Sequence, residues 1–453
     1  MNIFGKTDRR ILSILIPVIL ENALLTLSGM ILTGYIGRLT VTEISAYGLG
    51  RRVYGIYYSL FKGLAVGTMV NAAKAVGTGD EERCARIQQE SYLMDLPIAV
   101  LIAVLITLGA PLILSVMTSD AVLIEQGARV LRFTAPLYPL LAVIHLNTAA
   151  FQAHGNTRTP MVIAAIGNLV TITAGYVLIF GLGPLKGLGI MGAVLGQNLS
   201  FIVMAGIGLF LLYGKHGLFV HTKMNLFHLP DIKDAKEIFS TGIPVSLEDT
   251  FWQAATVVIS AVILSYGQEY YAAYQLGLEG EGFCNMMSAG FMTAAMSLSA
   301  QAIGRRDAQE YEECYRRLCL FCMMISCITM TFLLFCSKPV LHLMTDKPQL
   351  VSIASVYMYA MIFSQIPQHM KQIQVGYLRS AGHTGTTMTI NLIGLWAVRV
   401  PLVLLFARVM HLDILFIWIA FDIDMWVRLL LSWYKLRSLH VHSYIEQLQG
   451  KEA

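Results

Sequence analysis

The chain has 453 residues, of which 56% are hydrophobic and only 13% are charged. A soluble domain is about one quarter charged, so this chain has too few charges for a polar surface of its own. Lipid must therefore be the solvent for much of that surface. The formal net charge is only +4, and the basic residues fall in short loops, which argues against a nucleic-acid partner.

Twelve apolar stretches are each long enough for a membrane helix, which needs about 20 apolar residues. The first continues too far to be the apolar core of a cleaved signal peptide. We therefore expect an all-α polytopic membrane protein with twelve transmembrane helices. The stretches are 11–36, 45–76, 88–112, 128–150, 160–182, 188–213, 238–265, 271–303, 316–337, 350–378, 387–409 and 411–435.

The loop cations predict the orientation, because cytoplasmic loops are enriched in Lys and Arg. With a cytoplasmic N-terminus, the outer loops hold only Arg38, Lys186, Lys338, Lys347 and Arg408. Both termini are therefore expected in the cytoplasm, and the protein in the cell (inner) membrane. The inner loops then hold Arg83, Arg86, Arg158, Lys215, Lys223, Lys233, Lys236, Arg305, Arg306, Arg316, Arg317, Arg379, Lys435 and Arg437.

The two halves of the chain are copies of each other. Ile16-Pro17-Val18 recurs as Ile243-Pro244-Val245, an offset of 244 − 17 = 227, and the same offset pairs other residues along the whole chain. Each copy has six helices, an even number, so the copies are parallel repeats that enclose a two-lobed central cleft. The predicted parts are an N-lobe (1–213), a cytoplasmic linker (214–237), a C-lobe (238–436) and a cytoplasmic tail (437–453).

One glutamate lies four residues after the shared proline in each copy: Glu21 in the first helix and Glu248 in the seventh. A charge inside a membrane is costly and usually serves a function. Asp249 follows Glu248 where the first copy has Asn22. We expect Glu21, Glu248 and Asp249 to couple transport to an ion. The alternative is that each glutamate only bonds a neighbouring helix or a proline kink.

The second helix of each copy carries a different set of charges. Arg51, Arg52 and Lys62 lie in the first copy, and Glu279 and Glu281 lie in the second. These residues, with Asn22, predict a substrate cleft or gate with one cationic and one anionic wall. A salt bridge that only locks one state is the alternative. Gln365 and Gln368 of the tenth helix are expected to line the same cleft.

No cofactor or metal is expected. Cys319 and Cys322 form a CxxC without companion ligands, and the seven cysteines do not predict a disulfide scaffold. Gly187, Gly189 and Gly192 match GxGxxG, but the sequence predicts no strand before them, so we do not expect a nucleotide site. The sequence shows no HExxH motif, so we do not expect an enzyme. Asp424 and Arg428 are spaced i,i+4 and predict a local ion pair. His440 and His442 of the tail have no metal partners nearby.

Several motifs resemble the multidrug and toxic compound extrusion (MATE) family over nearly the whole chain. Gly155-Asn156-Thr157-Arg158-Thr159-Pro160 resembles the family's G-[DN]-T-[KR]-T-P segment, and Gly382-His383-Thr384 is a weaker copy. Arg399-Val400-Pro401 and Trp418-Ile419-Ala420 resemble parts of the last two helices. The resemblance implies efflux of small organic, often cationic, compounds by antiport with H⁺ or Na⁺ through alternating access, and a monomer in the lipid bilayer.

The family's coupling residues do not carry over. Many members have an aspartate fifteen residues after the first proline, where this chain has Leu32. Another branch has a glutamate eight residues after the second proline, where this chain has Trp252. The cationic residues keep an alternative open, a flippase or exporter of an anionic or zwitterionic metabolite or lipid-linked precursor from the same superfamily.

Overall fold

The computed structural model describes residues 5–182, 185–215, 217–220 and 231–438. Almost all of them are helical. The exception is a pair of two-residue antiparallel strands, β1 (Gly181–Leu182) and β2 (Leu185–Lys186). Part of the predicted linker and the tail from residue 439, with His440 and His442, lie outside the described residues.

The first copy consists of six helical stretches. Pro136 lies in a 3₁₀ turn that joins two short helices into one stretch. The helices are α1 (Lys6–Ile36), α2 (Val41–Thr78), α3 (Glu81–Ser115), α4 (Ala121–Thr134) followed by α5 (Tyr138–Ala153), α6 (Arg158–Phe180) and α7 (Ile190–Tyr213). An Asp or Thr side chain caps the start of α2, α3 and α4.

The second copy has the same six stretches, but two of them are irregular. The tenth stretch bends by 52° between its two helices. The eleventh contains two π-helical segments, Ile393–Arg399 and Leu405–Val409. The helices are α8 (Ile232–Tyr266), α9 (Gln268–Arg305), α10 (Ala308–Met344), α11 (Pro348–Ala360) with α12 (Gln365–Ser380), α13 (Thr384–Leu392) with α14 (Val400–Leu404), and α15 (Ile414–Ser438).

The twelve described stretches lie where the sequence predicted them. Eight are long and apolar enough to cross a membrane by themselves, and a ninth is the bent pair α11–α12. Two of the other three, α2 and α9, occupy equivalent positions. Their first residues differ by 268 − 41 = 227 and their last by 305 − 78 = 227. The duplication therefore reproduces a helix of the same extent in both copies.

Lipid exposure is visible on α3. Leu101, Leu105, Leu108 and Leu112 are spaced i, i+4, i+7 and i+11, so they share one face of the helix. They are 60%, 59%, 75% and 73% exposed. A continuous stripe of exposed leucines would be costly in water, so this face is a lipid-facing surface.

The chain divides into two compact units, one comprising Leu20–Ser246 and the other comprising residues up to Ile19 together with Leu247 onward. The boundaries fall inside α1 and α8, two residues after Pro17 and Pro244. The first part of each of these helices thus packs with the opposite half of the sequence. The predicted lobes, 1–213 and 238–436, describe membrane topology and stay a prediction.

Each unit has its own aromatic core. Tyr57, Phe61 and Tyr138 are almost fully buried in the Leu20–Ser246 unit. In the other unit the Trp418 ring stacks on Tyr274, with centroids 5.4 Å apart, and meets Tyr357 edge-on at 4.9 Å. Large rings packed in this way fix the helices of each unit rigidly enough to position polar side chains.

Candidate functional site

The site in the second unit is centred on Glu248 of α8. Its Oε2 accepts a hydrogen bond from Nη2 of Arg379 at 2.8 Å, and its Oε1 accepts one from Nδ2 of Asn391 at 2.5 Å. Both carboxylate oxygens are therefore engaged. The Arg379 side chain is only 3% exposed and that of Glu248 is 21% exposed, so this is a largely buried, charge-assisted pair.

A second ion cluster adjoins this pair through Asn391. Arg428 donates from Nε to Oδ1 of Asp424 at 2.6 Å and from Nη2 to Oδ2. The Nε of Arg399 lies 2.7 Å from the same Oδ2. Nη1 of Arg428 also donates to Oδ1 of Asn391 at 3.4 Å. The predicted Asp424–Arg428 pair exists, but it is buried, shared with Arg399 and linked to Glu248.

The backbone at Gly394 makes this cluster possible. A Cβ atom at this position would overlap Cγ of Arg428 and Oδ1 of Asp424. The residue lies in the π-helical segment Ile393–Arg399, a local irregularity that is frequent at functional sites. A side chain here would push α15 away, so glycine is needed for the close approach.

A cavity of about 260 Å³ opens beside Glu248. Its lining includes the charged side chains of Glu248, Asp249, Lys371 and Arg428. The remaining wall combines amides with apolar and aromatic groups, namely Asn285, Gln368, Gln372, Asn391, Phe251, Trp252, Leu392, Leu395 and Met425. Such a mixture of apolar surface with a few polar groups is typical of a small-molecule site.

The predicted acidic and amide residues of this unit lie in three different environments. Asp249 lines the cavity, as does Gln368, which donates to Oδ1 of Asn285. Glu281 is buried, accepts a hydrogen bond from Tyr357 at 2.7 Å and is bonded by Gln365. Glu279 is exposed on α9. The two glutamates of the predicted anionic wall therefore have different environments.

Sequence reasoning missed Arg379, Asn391 and Arg399 as site residues. The prediction that Arg379 is a loop cation is wrong, because this residue lies in the last turn of α12 with a buried side chain. Arg399 carried a usable signal, since it interrupts an apolar run and a buried charge needs a partner. Asn391 carried no such signal in the sequence.

In the other unit, Glu21 has a different environment from its copy. Its Oε2 is buried and has no hydrogen-bond partner among the described residues. Lys62 is the cation whose charge acts on it. The Lys62 ammonium lies 5.7 Å from the centroid of the Tyr58 ring, which meets the His145 ring edge-on at 4.7 Å. His145, which is half-buried and was missed from the sequence, belongs to this cluster.

The other predicted residues of the first copy lie on α1 and α2. Asn22 is half-buried, and its carbonyl oxygen accepts a hydrogen bond from Thr26 at 3.0 Å. Arg51 is exposed and donates to Thr33 at 3.3 Å, and Arg52 is exposed as well. The gate role of these residues stays a prediction, as does a cationic wall that faces an anionic one.

The repeat also contains an ion pair of swapped polarity. Arg10 bonds Glu310 in the second unit, and Glu237 lies 3.9 Å from Arg83 in the first. The offset relates both partners, since 237 − 10 = 227 and 310 − 83 = 227. An ion pair therefore fixes the beginning of α1 and, at the equivalent position, the beginning of α8. The cation lies on α1 in one pair, and the anion lies on α8 in the other.

Comparison with protein-family models gives a match to the MatE family over residues 17–177 and 244–405. The two matches begin 244 − 17 = 227 residues apart, which is the offset of the internal repeat. Together they cover well over half of the chain, and each begins at the proline that precedes a paired glutamate.

Two similar curated proteins come from bacteria. The probable multidrug resistance protein NorM of Thermotoga maritima is 22% identical over 416 residues, which is 92% of this chain and 89% of the relative. The probable multidrug resistance protein YoeA of Bacillus subtilis is 21% identical over 422 residues, covering 92% and 90%.

Solved structures share the fold. An outward-facing multidrug resistance MATE family transporter of the MOP superfamily has a TM-score of 0.89 at 18% identity, covering 98% of this chain and 97% of that one. A MOP superfamily transporter from Pyrococcus furiosus, for which a reverse polarity of the binding pocket is described, has a TM-score of 0.84 at 17% identity, with 98% and 97% covered. The predicted all-helical fold of two six-helix repeats is therefore confirmed. The chain belongs to the MatE family and is a multi-pass membrane transporter.

Proposed function

We propose that this protein is a secondary active exporter that moves organic compounds out of the cell in exchange for entering protons. Glu248 carries the coupling proton and Glu21 assists from the first copy. The single observation behind this proposal is the Glu248 carboxylate, which lies at the wall of a small-molecule cavity while both of its oxygens are bonded.

Protonation of Glu248 supplies the coupling step. An ionised carboxylate accepts from both Arg379 and Asn391, whereas a protonated one carries an O–H donor and loses its charge. Charge-assisted hydrogen bonds are roughly twice as strong as neutral ones, so a proton weakens the hold on Arg379. Asn391 transmits the change, because its side chain also contacts Arg428 at 3.4 Å.

The surroundings of Glu248 favour a proton over Na⁺. The guanidinium of Arg379 already lies at hydrogen-bond distance from the carboxylate, and Lys371 and Arg428 line the same cavity. Two like charges at close range repel strongly in a low-dielectric site. A sodium ion would have to displace or approach these cations, whereas a proton is covalently bound to the carboxylate itself.

Both the cavity and the relatives support organic compounds as the substrate class. The wall offers Phe251, Trp252 and Met425 beside the polar groups, and flexible methionines with aromatic rings suit varied ligands. Relatives are named for multidrug resistance, and solved neighbours include a MATE protein in complex with MaD3S. The same proposal includes three further properties. The two repeats work by alternating access, the protein lies in the cell membrane with both termini in the cytoplasm, and it acts as a monomer.

The test uses the full chain in liposomes with an imposed pH gradient and a fluorescent organic dye inside or outside. We expect gradient-driven dye movement that Glu248→Gln reduces at least tenfold. Glu269→Gln, a matched change at an exposed glutamate of the same unit, should leave transport unchanged. Movement driven only by a Na⁺ gradient, or by no gradient at all, contradicts the proton antiport proposal.

A further inference from the structure

We propose that the cavity beside Glu248 binds an anionic group of the transported compound, a carboxylate or phosphate, through the ammonium group of Lys371. The assignment rests on the proposed export function and narrows its substrate class. It departs from the simple organic cations that the family resemblance implies.

The charged groups at the cavity differ in their partners. Both oxygens of Glu248 are bonded, and all three nitrogen groups of Arg428 are engaged by Asp424 and Asn391. Lys371 differs from them. It is only 8% exposed, yet within the described part of the chain it has no hydrogen bond and no carboxylate oxygen within ion-pair distance.

The charges around Lys371 act on it from a distance and partly cancel. Glu248 and Asp424 attract its ammonium group, while Arg428 and Arg399 repel it. A buried charge without a direct partner is costly, since nothing replaces the water that it has lost. Because Lys371 lines the cavity, a ligand oxygen at that place would provide the missing partner.

The aromatic wall gives a second, independent reason. A cationic ligand in such a cavity is usually held over the face of a tryptophan. Here the guanidinium groups of Arg399 and Arg428 already lie 5.3 Å and 5.8 Å from the centroid of the Trp252 ring. An incoming cation would compete with two arginines for this ring and meet the charge of Lys371, whereas an anion pairs with the Lys371 ammonium group.

The rest of the wall fits the same ligand. The side-chain amides of Gln368 and Gln372 provide N–H donors beside Lys371, and Phe251 provides apolar surface. A volume of about 260 Å³ admits an anionic group with one or two rings. A further ammonium group on the compound is tolerated, because Asp249 lines the same cavity, so zwitterions belong to the class.

Isothermal titration calorimetry of the purified full chain tests the assignment with three naphthalene probes of similar size. They are 2-naphthoate, 2-naphthyl phosphate and 2-naphthylmethylammonium. We expect at least one of the anions to bind on the order of tenfold or more tighter than the ammonium probe, and Lys371→Gln to remove that preference. Lys371→Arg should retain it, and Lys338→Gln, at an exposed lysine of the same unit, should not change it. Comparing the two anions shows whether the site prefers a carboxylate or a phosphate.

Equal or tighter binding of the ammonium probe to the unmodified protein overturns the assignment, and so does a Lys371→Gln variant with an intact anion preference. The comparison on the unmodified protein decides the matter even where Lys371→Gln fails to fold. Gradient-driven export of a cationic dye without anion preference refutes this assignment alone. Anion preference without any gradient-driven transport refutes the proposed export function alone.

Discussion

The ion pair between Glu248 and Arg379 makes a quantitative prediction about stability. Removing one partner of a fully buried pair costs about 3–5 kcal/mol. Glu248 is 21% exposed, and glutamine keeps one oxygen as an acceptor, so solvent and the remaining bond reduce this cost. We expect Glu248→Gln to lower the free energy of unfolding by about 1–3 kcal/mol. Arg379→Met should cost a similar amount, because it leaves the carboxylate with Asn391 alone.

The double variant distinguishes a direct pair from two independent effects. Once Glu248 is neutral, Arg379→Met no longer removes a charge partner, so the two costs should not add. We expect a coupling free energy of about 1–2 kcal/mol in a double-mutant cycle. The measurement is denaturant-induced unfolding of the four proteins in mixed micelles, followed by tryptophan fluorescence. A control cycle pairs Arg379→Met with Glu269→Gln, whose carboxylate contacts Gln349 instead. Additive costs in the first cycle would refute the assigned pair.

Three further changes test other parts of the structure. Gly394→Ala should lower the free energy of unfolding by about 1–3 kcal/mol and impair transport, because the new methyl group overlaps α15. Gly385→Ala has open space around its Cβ position and should be neutral in the same unfolding and transport assays. Arg10→Glu should slow transport severalfold. Adding Glu310→Arg should restore part of the rate, because the repeat already uses the swapped pair, while the pair of Glu310 with Arg305 is lost. A double variant as slow as the single one would contradict this. Glu21→Gln should reduce proton-driven dye transport severalfold while the protein remains folded, and normal transport would remove Glu21 from the mechanism.

Much of the fold could be predicted from the sequence because lipid imposes a simple rule. Each crossing needs a long apolar helix, so most of the twelve helices follow from the apolar runs. The repeat offset even predicts equivalent helix ends, as α2 and α9 show with their identical length. The break between α11 and α12 and the π-helical segments were not predicted, since both depend on packing against neighbouring helices.

The candidate site was predicted only in part. Glu248 was identified because a charge in an apolar run is conspicuous and recurs in both copies. Its partners were not, because Arg379 and Asn391 lie 131 and 143 residues further along the chain, and no local pattern brings them together. The paired glutamates also differ in their contacts: Glu248 is bonded on both oxygens, whereas one Glu21 oxygen is buried without a partner among the described residues. The copies therefore share a fold but not a local chemistry.

The central claim is that Glu248 exchanges a proton for a substrate. Its most direct measurement is the proton flux itself, recorded with a pH-sensitive dye trapped in proteoliposomes while a substrate gradient is applied in the absence of Na⁺. We predict that substrate leaving the vesicles drives protons inward, and that Glu248→Gln abolishes this flux while substrate still binds. A proton flux that persists in Glu248→Gln, or substrate movement without any proton flux, would contradict the claim.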